Sequence, residues 1–250
     1  MAFKPCIIIP VYNHHKKFNN VVDQLRPLQI PCFVIDDGSD SACQQALNAI
    51  NEKEPWMTLI RLDPNQGKGA AVCKGFRTAH EQGFSHALQV DSDGQHDLKD
   101  VPKFIETAKQ HPQALIAGAR SYQAMPKNRR YGRFITDFWV WINTLSTNIK
   151  DSMCGYRLYP LDQTIALLNK TNIGRRMDFD TDIMVRLYWD NIELVQIDTA
   201  VIYQDEIVSH FDLVKDNIRI SKMHTKLFFG MLIRLPGIVI QRLKRKLAHA

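Results

Sequence analysis

Residues 86–96 read HALQVDSDGQH: a short apolar run, Ala87 to Val90, ends on the carboxylates Asp91 and Asp93, with Gly94 and Gln95 behind them. An apolar run without polar alternation is what a strand buried on both faces requires, as in a parallel sheet covered by helices. The same pattern recurs at Cys6 to Ile9, Cys32 to Ile35, Thr58 to Leu62 and Ala114 to Ala117. Between these runs, Phe18, Val21, Val22 and Leu25 fall at helical spacing, as do Ala71, Gly75 and Ala79, and then Val101, Phe104, Ile105 and Ala108. The alternation predicts an α/β fold with an open, mostly parallel central sheet flanked by helices. Ligands of such sheets bind at the carboxyl ends of the strands, so the polar residues that follow each run are the ones that carry chemistry.

Four runs end in such residues. Asp91 and Asp93, two apart after a buried strand, can face one hard cation, Mg2+ or Mn2+, with the amide oxygen of Gln95 completing the set. The same turn also reads as a polar bend in which Asp93 caps a helix starting near Leu98. The first run is followed by PVYNH, with Pro10, Tyr12 and Asn13, and the second by DDGSD, where Asp36 and Asp37 can accept hydrogen bonds from a base or a ribose. The alternative for DDGSD is a turn that caps a helix near Ala42. After the third run, NQGKG (Asn65 to Gly69) can bring backbone N–H groups and the Lys68 ammonium near a diphosphate, or be a glycine-permitted turn with a solvated lysine. It is not a Walker loop, and Val72 stands where a dinucleotide fingerprint has its last glycine, which disfavours a dehydrogenase.

Beyond about residue 118 the pattern changes to an Arg-rich loop, an amphipathic segment from about Tyr131 to Asn148, the cluster DSMCGYRLYP at 151–160, a helical stretch over Asp180 to Tyr188, and strand candidates Glu193 to Ile197 and Ala200 to Tyr203. Arg120, Arg133 and Arg157 can form a cationic pocket for an acceptor phosphate, or be surface arginines paired to carboxylates. Asp180 and Asp182 are two apart on a helix and cannot point the same way. Asp180 is a base candidate for a hydroxyl acceptor, and Asp182 supports a metal site or caps the helix. Ser209 to Phe211 is a candidate loop closing over the diphosphate.

In order, these motifs resemble those of the family 2 glycosyltransferases with the GT-A fold, and more narrowly the polyprenyl- and dolichyl-phosphate mannose or glucose synthases. PVYN is similar to the family's P-x-Y-N, DDGS to its acidic pair, NQGKG to its N-x-G-x-G turn and DSDGQH to its D-x-D-x-Q-H metal motif. GAR at Gly118 to Arg120 is similar to G-S-R, Asp151 with CGYR to D-x-x-S-G-F-R (with Cys154 in place of Ser), and the segment at Phe179 to Asp182 to F-D-x-E/D. The resemblance runs from Pro10 to about Ile183. It implies an inverting, metal-dependent hexosyl transfer from a UDP- or GDP-hexose to a membrane lipid acceptor, polyprenyl phosphate. It assigns Asp91, Asp93 and Gln95 to the metal, and Pro10, Tyr12, Asn13, Asp36, Asp37, Asn65, Lys68 and Asp91 to the nucleotide sugar. Arg120, Arg133 and Arg157 fall to the acceptor, and Asp93, Asp180 and Arg157 to catalysis. Two alternatives stay open: transfer to a hydroxyl of a lipid or cell-envelope glycan with Asp180 as base, and a nucleotide-binding regulatory protein without catalysis.

The 250 residues carry a formal charge of +6, but nine basic and one acidic residues lie between Lys215 and Ala250, leaving −2 for the first 214. Basicity confined to a terminus beside apolar residues suits an anionic membrane surface rather than a nucleic acid. The expected division is a catalytic domain over 1–210 and a membrane-associating tail over 211–250. Within the tail the apolar run Leu227 to Ile240 has only 14 residues, interrupted by Arg234 and Pro236-Gly237, against the roughly 20 that a spanning helix needs. This predicts peripheral attachment, with Arg242, Lys244, Arg245 and Lys246 meeting headgroups; the alternative is a helix docked on the protein's own core or in a dimer. Five cysteines, an odd count without a C-x-x-C pair, and an N-terminus without a long apolar region point to a reducing cytosol, hence the cytoplasmic face of a membrane.

Overall fold

The computed structural model describes residues 2–120, 127–200 and 212–248. Seven strands, β1 (Pro5–Val11), β2 (Cys32–Asp37), β3 (Met57–Leu62), β4 (His86–Gln89), β5 (Leu115–Arg120), β6 (Arg157–Pro160) and β7 (Leu194–Thr199), form one sheet in the order β3-β2-β1-β4-β6-β5-β7. All neighbours are parallel except β6, which runs antiparallel to both β4 and β5. The helices are α1 (His15–Leu25), α2 (Ser41–Asn51), α3 (Lys68–Glu81), α4 (Val101–Gln110), α5 (Lys127–Thr144), α6 (Leu161–Lys170), α7 (Phe179–Trp189) and α8 (Leu213–Ala248).

Both faces of the sheet are covered, as unbroken apolar strands demand. Ile7, Ile9, Val34 and Leu88 pack with Phe18, Val21, Leu47 and Phe104 of α1, α2 and α4. Cys6, Ile8, Phe33 and Ile35, one residue out of phase, pack with Phe76, Ile165 and Phe179 of α3, α6 and α7. The strand order reverses direction about β1, so a crevice opens between the carboxyl ends of β1 and β4, where such sheets bind ligands.

Two elements depart from expectation. β6 begins at Arg157, inside what the sequence presented only as a polar cluster; its four residues are too few to show a period. Because it is antiparallel, its first residue pairs with Gln89, so the start of β6 lies beside the carboxyl end of β4. The tail is one helix of 36 residues that runs through Pro236. Its stripe Met223, Leu227, Met231 and Ile238 is buried in the core that α5 and α7 share, so this segment is joined to the body of the fold. The 14-residue limit therefore does not hold: Leu213–Ile240 is, by length and composition alone, long and apolar enough to cross a membrane. The strand candidate at 200–203, apart from Ala200, which is not in a strand, and the loop candidate Ser209 to Phe211 lie outside the described residues.

Candidate active site

A cavity of about 1460 Å³ opens at the crevice and is lined by Pro10, Tyr12, Asp37, Asn65, Lys68, Asp91, Asp93, Gln95, Arg120 and Arg133, ten of the residues singled out from the sequence. Four others stand outside its lining. Asn13, at a positive φ of 54°, accepts the Asp40 N–H at 2.8 Å and donates its own N–H to Ser39 Oγ, clamping two loops together instead of meeting a nucleotide. Asp36 is fully buried, accepts the Ser39 N–H and pairs with Arg61 at 2.8 Å, so its charge is spent inside the protein. Asp180 and Arg157, the third and fourth, are taken up below.

Asp37 builds the glycine turn. Its two oxygens accept N–H bonds from Gln66 and Gly67, both at 2.8 Å, and from the Asn65 amide at 2.9 Å. Burial raises its carboxyl above the ordinary range, against the pull of those N–H groups. Gly67 takes φ 102°, which only glycine adopts readily, and α3 starts at the next residue, Lys68. The Lys68 ammonium is thereby delivered into the crevice. It lies 2.8 Å from Asp91 Oδ1 and 2.9 Å from Asp180 Oδ2. Gln89, the one amide in the buried strand β4, donates to Asp180 Oδ1 at 2.9 Å. His96, stacked on Tyr156, stands 3.3 Å from Asp91 Oδ2. Burial works to raise the Asp91 carboxyl, and Lys68 and His96 outweigh it, holding it well below the usual range; Lys68 is correspondingly raised despite its burial. Gly155 leaves space for the network: a Cβ there would stand 2.9 Å from Asp91 Oδ2, Gln89 Nε2 and Lys68 Nζ, and the three side-chain ends would have to shift.

Asp93 accepts the Gln95 N–H at 3.0 Å, while the cap of the following helical turn at Leu98 is Asp97 rather than Asp93. Two carboxylates and one amide oxygen facing a common cavity are a hard donor set, suited to a divalent cation that takes further ligands from phosphate oxygens and water. Among the described residues no three His, Cys, Asp or Glu side chains close on one point. Asp182, for its part, accepts from Arg186 at 2.5 Å and from the Gly174 N–H, which makes it a structural residue of α7.

The three arginines separate. Arg120 grips Asp151 through Nε at 2.7 Å and Nη2 at 3.0 Å, and Arg133 donates to the carbonyls of Arg120 and Lys150, yet both line the cavity. Arg157 has 0% exposure and donates to the carbonyl oxygens of Ser152 and Asp180 and to the Tyr159 hydroxyl. It holds the polar cluster onto α7 and cannot meet a substrate; its expected place in an acceptor pocket is corrected.

The sequence did not single out the cavity's outer wall. Ile135 and Trp139 of α5, and Lys215, Arg219, Ile220, Phe228 and Phe229 of α8, also line the cavity, so that its walls mix charged and apolar side chains. Arg176, bonded to Asn65 Oδ1 at 3.1 Å, adds a cation beside the Asp37 turn.

Residues 6–173 match the family model for glycosyl transferase family 2. The dolichyl-phosphate beta-glucosyltransferase of Dictyostelium discoideum is 24% identical over 249 residues, 91% of this chain and 74% of its own. The UDP-N-acetylglucosamine–dolichyl-phosphate N-acetylglucosaminyltransferase of Methanococcus voltae is 23% identical over 252 residues, 94% of this chain and 97% of its own. Among solved structures, glucosyl-3-phosphoglycerate synthase of Mycobacterium tuberculosis, in complex with Mn2+, UDP and glucosyl-3-phosphoglycerate, superposes with a TM-score of 0.64 at 12% identity, covering 93% of this chain and 79% of its own.

Proposed function

The chain belongs to glycosyl transferase family 2 and is a glycosyltransferase, and from that premise we propose that it moves a hexose, with inversion, from a nucleoside diphosphate sugar to a polyprenyl phosphate at a membrane surface. The observation that carries the proposal is that one cavity is lined both by the charged side chains Asp91, Asp93, Lys68, Arg120 and Arg133 and by the apolar Ile135, Trp139, Phe228 and Phe229 of α5 and α8. A phosphate that bears a hydrocarbon chain matches that mixture of surfaces. Relatives named for dolichyl phosphate support the same acceptor, and their different sugars, glucose and N-acetylglucosamine, leave the donor's sugar open.

In this reading Asp37, Asn65 and Tyr12 bind the nucleoside, and Asp91, Asp93 and Gln95 hold a divalent cation. That cation supplies neutralisation of the charge growing on the leaving diphosphate. Arg120 and Arg133 orient the acceptor phosphate. One of its oxygens forms the new bond to the anomeric carbon as the bond to the diphosphate oxygen breaks, and the nucleoside diphosphate departs with that electron pair. An ionised phosphate needs positioning and no base. A hydroxyl acceptor would need one, and the only carboxylate proposed for that role, Asp180, is paired to Lys68 and hydrogen-bonded by Gln89.

The exposed side chains Tyr131, Phe134, Ile135 and Phe138 of α5 and Phe229, Leu232, Ile233 and Ile240 of α8 support a membrane seat, since Trp139 and Phe228, 6.4 Å apart, join the two sets into one patch. With its other stripe packed on the protein, α8 lies along the body, which favours a helix resting in the interface over one that crosses. The test is transfer from labelled UDP-glucose, UDP-N-acetylglucosamine and GDP-mannose to polyprenyl phosphate and, in parallel, polyprenol. Label in an acid-labile lipid product formed from the phosphate alone is the expected result; product from polyprenol refutes the acceptor.

A further inference from the structure

Lys68 stands where a second cation would be unwelcome. Its ammonium is 2.8 Å from Asp91 Oδ1 and 3.0 Å from Asp91 Oδ2, so it covers both oxygens of a carboxylate assigned above to the metal. Asp180, reached from α7 and oriented by Gln89, holds the ammonium from the other side at 2.9 Å. Gly155, with no Cβ, leaves room for Asp91, Gln89 and Lys68 to meet in this arrangement.

We propose that Lys68 is a resident counter-ion of Asp91, tethered by the positioning residue Asp180, which a divalent cation must displace and which then turns to the donor's diphosphate. The inference rests on the donor-site reading and adds to it an exchange of cations. Two cations at contact distance from the same oxygens repel one another, so the metal-free site is closed to the metal by its own lysine. When a nucleoside diphosphate arrives, its oxygens give Lys68 another anionic partner in the cavity it lines, and Asp91 becomes available. Metal and nucleotide therefore bind with positive coupling, which by linkage is the same whichever binds first. Asp180 sets the exchange by keeping the ammonium within reach of both partners, and has no role in proton abstraction.

The experiment measures Mn2+ affinity of the metal-stripped full chain by the electron paramagnetic resonance signal of the free ion, without nucleotide and with UDP or GDP. Wild type is compared with Lys68→Gln, which keeps donors to both carboxylates and drops the charge. Because that variant leaves two carboxylates facing each other, Lys68→Gln combined with Asp180→Asn restores the charge balance and tests the same point if the single variant does not fold. The proposal expects both variants to bind Mn2+ at least tenfold more tightly than wild type without nucleotide, and the gain from added nucleotide to shrink by a similar factor. Unchanged or weaker Mn2+ binding in the folded variants, beside a wild type that binds Mn2+ with nucleotide, overturns the exchange and leaves the transferase reading standing. A wild type that binds neither Mn2+ nor either nucleotide overturns both.

Discussion

The packing of α8 on α5 should weaken in mild acid, and His224 sets by how much. The imidazole is 6% exposed, its Nδ1 lies 3.5 Å from the Asn143 amide nitrogen and its ring 6.3 Å from that of Trp139, and among the described residues nothing hydrogen-bonds Nε2. Burial alone pushes its pKa down from 6.5 to about 4. The unfolded chain therefore takes up a proton between those values that the native state refuses, so stability falls as pH falls through that window, is whole above it and levels off beneath it. At about 1.4 kcal/mol per pH unit, the loss reaches about 2 kcal/mol at pH 5 and about 3 kcal/mol below pH 4. Urea unfolding followed by the fluorescence of the four tryptophans, Trp56, Trp139, Trp141 and Trp189, reads it at pH 7.5 and pH 5, in wild type and in His224→Phe. Other groups shift stability equally in both proteins, so the difference between their losses isolates His224, and wild type should lose about 2 kcal/mol more. Equal losses would show that the imidazole is hydrated or already charged in the native state, and the reasoning would fail.

Arg157→Met should cost about 1–3 kcal/mol, the usual penalty for leaving a buried hydrogen-bonding group such as the Ser152 or Asp180 carbonyl without its donor, and should depress donor and acceptor kinetics together; a selective rise in acceptor KM would return Arg157 to the acceptor. Asp37→Asn sets an amide N–H either against the Gln66 N–H or against the Gly67 N–H and the Asn65 amide, and should cost about 1–3 kcal/mol in thermal or urea unfolding along with a clear loss of nucleotide affinity in calorimetry. Phe134→Glu with Phe229→Glu changes two side chains that are 52% and 59% exposed, so unfolding should be unaffected while flotation on anionic vesicles is lost. Persistent flotation would move the membrane contact elsewhere.

The donor half was legible because its signals are local. Each buried run and the helix after it lie within a few tens of residues, and the polar residue at the end of a run is delivered to the crevice by the fold itself. What the charged groups do there was not legible, because their partners come from elsewhere in the chain. Asp36 looks like Asp37 in sequence, and only Arg61, 25 residues on, distinguishes a spent carboxylate from one in the cavity. Asp180 reads as a base until Lys68, 112 residues earlier, is found against it. The apolar run of the tail concealed a stripe: Met223, Leu227 and Met231 repeat every four residues, the spacing of a docked helix, while the run as a whole suggested a free one.

The antiparallel strand β6 explains the arginine that was misassigned and the charge that the site still lacks. Inserted between β4 and β5, it brings its first residues to a rim otherwise made of strand ends, and Arg157 there binds backbone carbonyls instead of a ligand. The cavity is left with six described Lys and Arg side chains, at 68, 120, 133, 176, 215 and 219, against five carboxylates, at 37, 91, 93, 212 and 216. A surplus near one charge cannot neutralise a diphosphate and a lipid phosphate brought within reacting distance of each other. Buried anions that stay unpaired are strongly unfavourable, so in the proposed reaction further positive charge must enter with the donor. A divalent cation held by Asp91 and Asp93 would meet that need twice over: it would bring its own charge and, in the proposed exchange, leave the ammonium of Lys68 to the phosphates.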